Sequence, residues 1–147
     1  MYGIIILIHI VSAAVWTGGH LILSLTVLPK TLKEKNIPHL LKFESGYEKI
    51  GMPALIIQLI TGVWLAYRLV PDLGEWFNFE NQFAGLVRLK ILLLLITFGL
   101  AADARLRVIP KLSEANLNSL AWHIIAVTVV SVFFVVVGVS FRVGWFL

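Results

Sequence analysis

An all-α integral membrane protein, folded as an antiparallel four-helix bundle, is what this sequence predicts, and three observations carry the prediction. The 147 residues are 59% hydrophobic and only 14% charged, with a mean hydropathy of +0.93, well outside the soluble range. The apolar residues gather into four runs, each near or above the ~20 residues that a bilayer core requires. The charges gather between the runs and alternate in sign. Lys30, Lys33, Lys35, Lys42 and Lys49 separate the first two, Asp72, Glu75 and Glu80 the next two, and Arg105, Arg107 and Lys111 the last two.

The first run, about Tyr2 to Leu28, has no Lys, Arg or acid, but it carries two histidines and the Gly18/Gly19 pair. It lacks a basic n-region and is too long for a signal-peptide h-region, so it is expected to remain in the mature protein. The segment KTLKEKNIPHLLKFESGYEK that follows reads as a short cytoplasmic amphipathic helix between helices 1 and 2, with Pro38 suited to its first turn. The second run, Ile50 to Val70, contains Gly51, Pro53 and Gly62, all tolerated where membrane helices pack closely. PDLGEWFNFENQF is an acidic, aromatic loop whose Trp76 and Phe77 suit the headgroup layer. The third run spans about Ala84 to Leu106 and the fourth about Leu117 to Phe146.

Basic loops face the cytoplasm, so both termini and the acidic loop are expected outside: a multi-pass protein of the inner (plasma) membrane with a periplasmic outer face. With no repeats or linkers, residues 1–147 read as a single four-helix transmembrane domain. The formal charge of +4 sits in topology-setting loops and does not suggest nucleic-acid binding. The bilayer itself is the expected partner, and the sequence leaves the oligomeric state open, a homo-oligomer included.

Function is sought in ionisable groups at membrane depth, because such groups are costly in hydrocarbon and normally face a ligand, a proton path or a substrate. At about 100° per residue, His9, Ala13, Trp16 and His20 fall on one stripe of the first helix. Counting about 1.5 Å per residue, His20 lies roughly 13 Å and His123 roughly 9 Å from the cytoplasmic ends of their helices. They are nearly level, and between neighbouring helices they could ligate one haem from opposite sides, with Asp103 orienting one imidazole. The alternative is that each only hydrogen-bonds across the bundle. Nearer the outer face, His9 lies at the depth of Arg88, Lys90 and Arg142. These three cations suggest a pocket for carboxylates, such as haem propionates or an anionic substrate, beside a ligand at His9; snorkelling is the alternative for Arg88 and Arg142. His9 and His20 are about 16 Å apart along the helix and are too distant to share one metal, though they could serve two centres with Trp16 between them. His39 reads as a solvated residue, and Gln58 and Thr61 as interhelical hydrogen-bonding groups.

The sequence has no cysteine and two methionines, Met1 and Met52, so a metal site must rest on histidine and oxygen. No Ser/His/Asp set, phosphate loop or CxxC is present, which argues against hydrolase or nucleotide chemistry.

The strings HIVSAAVWTGGHLILSLTVLPKTL, FESGYEKIGMPALIIQLITGVWLAYRL, VRLKILLLLITFGLAADARLRVIPKL and LAWHIIAVT resemble the small CopD-type membrane proteins, a family named for copper resistance. The H-x6-W-x-G spacing from His9 to Gly18, the Pro53 to Gly62 pattern and Lys90 are also similar to HemJ, the haem-b-containing membrane protoporphyrinogen oxidase. That second resemblance implies a haem ligand at His9 with Lys90 at the same pocket. The chain departs from it in having Phe98 and Gly99 where a Tyr-His pair is expected, and in adding His20 and His123. Three readings follow: a b-type haem redox protein serving a quinol or another lipid-soluble donor, a copper transport or resistance protein, and a HemJ-like oxidase of a porphyrin substrate.

Overall fold

The computed structural model describes residues 1–146 and shows an all-helical chain in which four helices are long and apolar enough to cross a membrane. Helix α1 spans Tyr2–Ile22 and continues through a π-helical turn, Leu23–Val27, into α2, Leu28–Glu34. Lys35 breaks this rod with a left-handed backbone (φ 56°). Asn36 then caps α3, Ile37–Leu69, by accepting from the backbone N–H of His39, with Pro38 in the first turn where its missing N–H costs nothing.

The basic segment between the first two spans therefore forms no helix of its own. Its first part extends the α1/α2 rod and the rest is the first three turns of α3. Alternation of Leu and Lys fits a membrane helix emerging from lipid as well as it fits an interfacial one, so periodicity alone does not separate them. His39 is exposed, as expected.

The acidic loop is tied down by its own side chains. Trp76 Nε1 donates to the Val70 carbonyl (2.8 Å), and Asn81 caps α4, Gln82–Asp103, by accepting from the Ala84 N–H. Helix α4 also ends in a π-helical turn, Ala104–Val108, followed by a short 3₁₀ turn, Ile109–Lys111. Helix α5 spans Leu117–Val143 and stops at Gly144, which adopts the left-handed conformation usual at a helix C-terminus.

The main packing partners are α1 with α3, α4 with α5 and α1 with α5. Two antiparallel hairpins thus meet along the first and last spans, joined by the Thr17 hydroxyl donating to the Ser131 carbonyl (3.4 Å) and Thr128 to the His20 carbonyl (3.2 Å). One apolar cluster, built on Leu28, Leu40, Val108, Leu117 and Leu120, closes the end that carries the basic loops. A second, Trp16, Leu55 and Val127 with Leu100 against it, lies deeper in the bundle. A cavity of about 370 Å³ lies among these elements, with Leu40 and Leu120 of one cluster and Trp16 and Val127 of the other in its walls.

Candidate functional site

His20 and His123 both line this cavity, together with Trp16, Tyr47, Glu44, Glu48 and Arg105. The first and last spans are indeed neighbours, so the two residues matched by depth come to the same space.

His20 is buried, and its Nδ1 lies 3.0 Å from the carbonyl of Trp16 one turn earlier. A carbonyl only accepts, so Nδ1 carries the proton and Nε2 keeps its lone pair. A backbone carbonyl on the second ring nitrogen is the usual orienting partner of a metal-ligating histidine. Tyr47 completes the support: its hydroxyl donates to the same Trp16 carbonyl (2.8 Å), and its oxygen lies 3.2 Å from His20 Nδ1. The Trp16 ring lies against the His20 ring with centroids 4.4 Å apart.

Gly19 explains how Tyr47 gets there. A Cβ at Gly19 would overlap the Tyr47 ring, and one at Gly51 would come within 2.8 Å of it. The tyrosine is thus slotted between two glycines of different helices. Gly18, by contrast, has open space around the position of a Cβ and serves no such contact.

His123 is held differently. Its Nδ1 is 2.8 Å from the Ser119 carbonyl and its Nε2 is 2.9 Å from Asp103 Oδ2. Asp103 orients this imidazole as anticipated, but both ring nitrogens are engaged, which leaves no lone pair for a ligand in this arrangement. Asp103 is itself paired with Arg107 (2.6 Å).

The outer group of residues is largely dispersed. Arg88 donates to the carbonyls of Trp76 (2.9 Å) and Asn78 (2.7 Å) and lies over the Phe79 ring, so it clamps the acidic loop. Arg142 is exposed in the last turn of α5. Lys90 alone stays near His9: its ammonium lies 5.5 Å from the centre of the Phe141 ring and in the space left by Gly138, and its charge acts on His9. His9 Nδ1 is 2.8 Å from the Thr61 hydroxyl, which itself donates to the Ile57 carbonyl (2.7 Å), so His9 also donates from Nδ1 and keeps its lone pair on Nε2. Gly62 lets the ring in, a Cβ there coming to 3.2 Å from His9 Cε1. Thr61 thus makes the interhelical bond read from the sequence, whereas the side-chain oxygen of Gln58 is buried without a partner.

Among the described residues, no group of three or more His, Cys, Asp or Glu is arranged to hold a metal ion. His9 does not line the cavity that holds His20 and His123.

Residues 41–141 match the family model for CopD, copper resistance protein D. The chain belongs to the CopD family. The matched span of this CopD protein takes in Tyr47, Lys90, Asp103, Arg105 and His123 and leaves out the first span, with His9, Trp16 and His20. No curated protein and no solved structure matches the chain. It is a multi-pass membrane protein of a copper-resistance family.

Sequence reasoning passed over Tyr47, Glu44, Glu48 and Arg105. The signal for Tyr47 was present in Gly19 and Gly51, whose close approach needed a partner. Arg105 was absorbed into the topology count, and Glu44 and Glu48 lay unremarked among the lysines of the first basic loop.

Proposed function

We propose that this CopD protein is a b-type haem redox protein of the inner membrane, passing electrons between a lipid-soluble donor such as a quinol and an acceptor at the outer face. The observation that carries the reading is His20: buried on an apolar cavity, fixed through Nδ1, with Nε2 free to ligate. A haem brings four ring nitrogens of its own and asks the protein for one or two more. That fits a site with one free imidazole nitrogen, on His20. Bound there, haem iron supplies one-electron chemistry. The protein orients the ligand through Trp16 and Tyr47, excludes water with its apolar walls, and offers Arg105 at the mouth. His123 would hold the group as well only if its Nε2 left Asp103, so His20 is the residue that would hold it. The outer centre at His9, with Arg88, Lys90 and Arg142 as its cations, keeps only Lys90 as support.

A copper-handling role is the second reading. The family description favours it, and so do Glu44 and Glu48, carboxylates at the cavity mouth that attract cations. Against it stands the lack of thiol or clustered thioether ligands, which Cu(I) prefers.

Absorption spectroscopy and metal analysis of the purified protein separate the two. A reduced haem b spectrum supports the first reading, and bound copper without haem supports the second. The orientation is tested by outside cysteine labelling, which should modify Glu80→Cys and spare Lys33→Cys.

A further inference from the structure

The helices are joined in a row, α3 to α1 to α5 to α4, and α3 and α4 share no packed face. The cavity has walls on both of these helices, Glu44 to Met52 on one and Phe98 to Ala102 on the other. Its rim is apolar and faces outward: Met52 is 40% and Phe98 45% exposed, on helices long and apolar enough to cross a membrane. The Leu28, Leu40 and Leu117 cluster packs the end with the basic loops, and the Trp16, Leu55 and Val127 cluster packs the bundle deeper in.

Ion pairs bridge this seam at one point. Arg105 reaches from the α4 rod to Glu48 of α3, with Glu44 3.6 Å away. Arg105 stands on the π-helical turn Ala104–Val108, a type of irregularity frequent at functional sites. Inside, the Trp16 ring forms part of the cavity wall beside His20.

We propose that the cavity is filled sideways from the bilayer: a lipid-soluble, largely apolar molecule enters between α3 and α4, and the bridge from Arg105 to Glu48 and Glu44 is the latch on its entrance. A haem is one molecule of this class, which deepens the reading above, but the entrance rests on helix packing and is tested without haem. Two hairpins held on one side only can part along the other by a small rotation about the α1/α5 seam, and breaking a partly exposed ion pair costs little.

Ile124 lines the cavity from α5 and is buried, so a cysteine there reports on access. In the full chain reconstituted in lipid nanodiscs, Ile124→Cys should react with pyrene maleimide, which partitions into the bilayer, and resist a charged, water-soluble maleimide. Adding Arg105→Ala should speed the lipid-side reaction several-fold. Labelling mainly from water, or equal rates with and without Arg105, overturns the proposal. As a check that leaves the cavity side chains unchanged, a variant with Trp16 as sole tryptophan should lose emission in lipids with brominated acyl chains. Unquenched Trp16 emission overturns lateral entry, as does cross-linking of α3 in one copy to α4 in another, which would make the seam a subunit interface. The haem spectrum of the same preparations is read separately, so either reading can fail alone.

Discussion

His9 and His20 are held by the same device and end in different surroundings. Each donates Nδ1–H to an oxygen, His20 to a backbone carbonyl and His9 to the Thr61 hydroxyl, and each keeps its Nε2 lone pair. His20 opens on a cavity of about 370 Å³. His9 is pressed against Gly62 and stands near the Lys90 ammonium. A free lone pair is therefore not sufficient to make a ligand. It also needs room for the bound group, and His20 lines a cavity that His9 does not share.

The largest effect that would sharpen this contrast is on Lys90. Insertion scales place a lysine at the centre of a membrane helix at about 2.5–3.5 kcal/mol, and Lys90 has no ion pair among the described residues. If the outer site is empty of anions, Lys90→Met should raise the unfolding temperature in detergent and leave cofactor content unchanged. A loss of cofactor on this substitution would restore the outer pocket and break the comparison.

Next in size is Gly19→Ala. Its Cβ overlaps the Tyr47 ring, and overpacking a tight contact of this kind typically costs about 1–3 kcal/mol. Thermal unfolding should fall accordingly, while Gly18→Ala, with open space around it, should leave the midpoint unchanged. Equal effects at the two glycines would contradict the slot that holds Tyr47.

Tyr47→Phe is the mildest of the three. It removes one hydroxyl bond to the Trp16 carbonyl, about 1 kcal/mol of stability. Because that carbonyl also anchors His20, the spectrum of an inner cofactor should shift although its content holds. An unchanged spectrum would mean that Tyr47 only packs.

The fold was legible in the sequence because the bilayer imposes it. Four apolar runs of the required length leave few alternatives, although the fourth was read past Gly144 and Pro38 was given to a separate short helix rather than to the start of α3. The inner site was half legible. Depth counting brought His20 and His123 to one level, and packing of the first span on the last brought them to one cavity. It gave no rotamers, and so gave no sign that Ser119 and Asp103 take up both nitrogens of His123. The outer group was less legible for the same reason. Arg88, Lys90 and Arg142 agree in depth, but depth fixes only one coordinate, and the loop carbonyls of Trp76 and Asn78 that claim Arg88 come from a segment without regular periodicity. Tyr47 was missed because its role depends on two glycines far apart in sequence, whose meaning appears only when α1 meets α3.

The central claim is that His20, and not His9, carries the cofactor. It is tested most directly by haem-to-protein stoichiometry, measured as the pyridine haemochrome, in purified wild-type protein, His20→Ala and His9→Ala. The account predicts haem in the wild type, its loss in His20→Ala and its retention in His9→Ala. Haem retained by His20→Ala and lost from His9→Ala would contradict it.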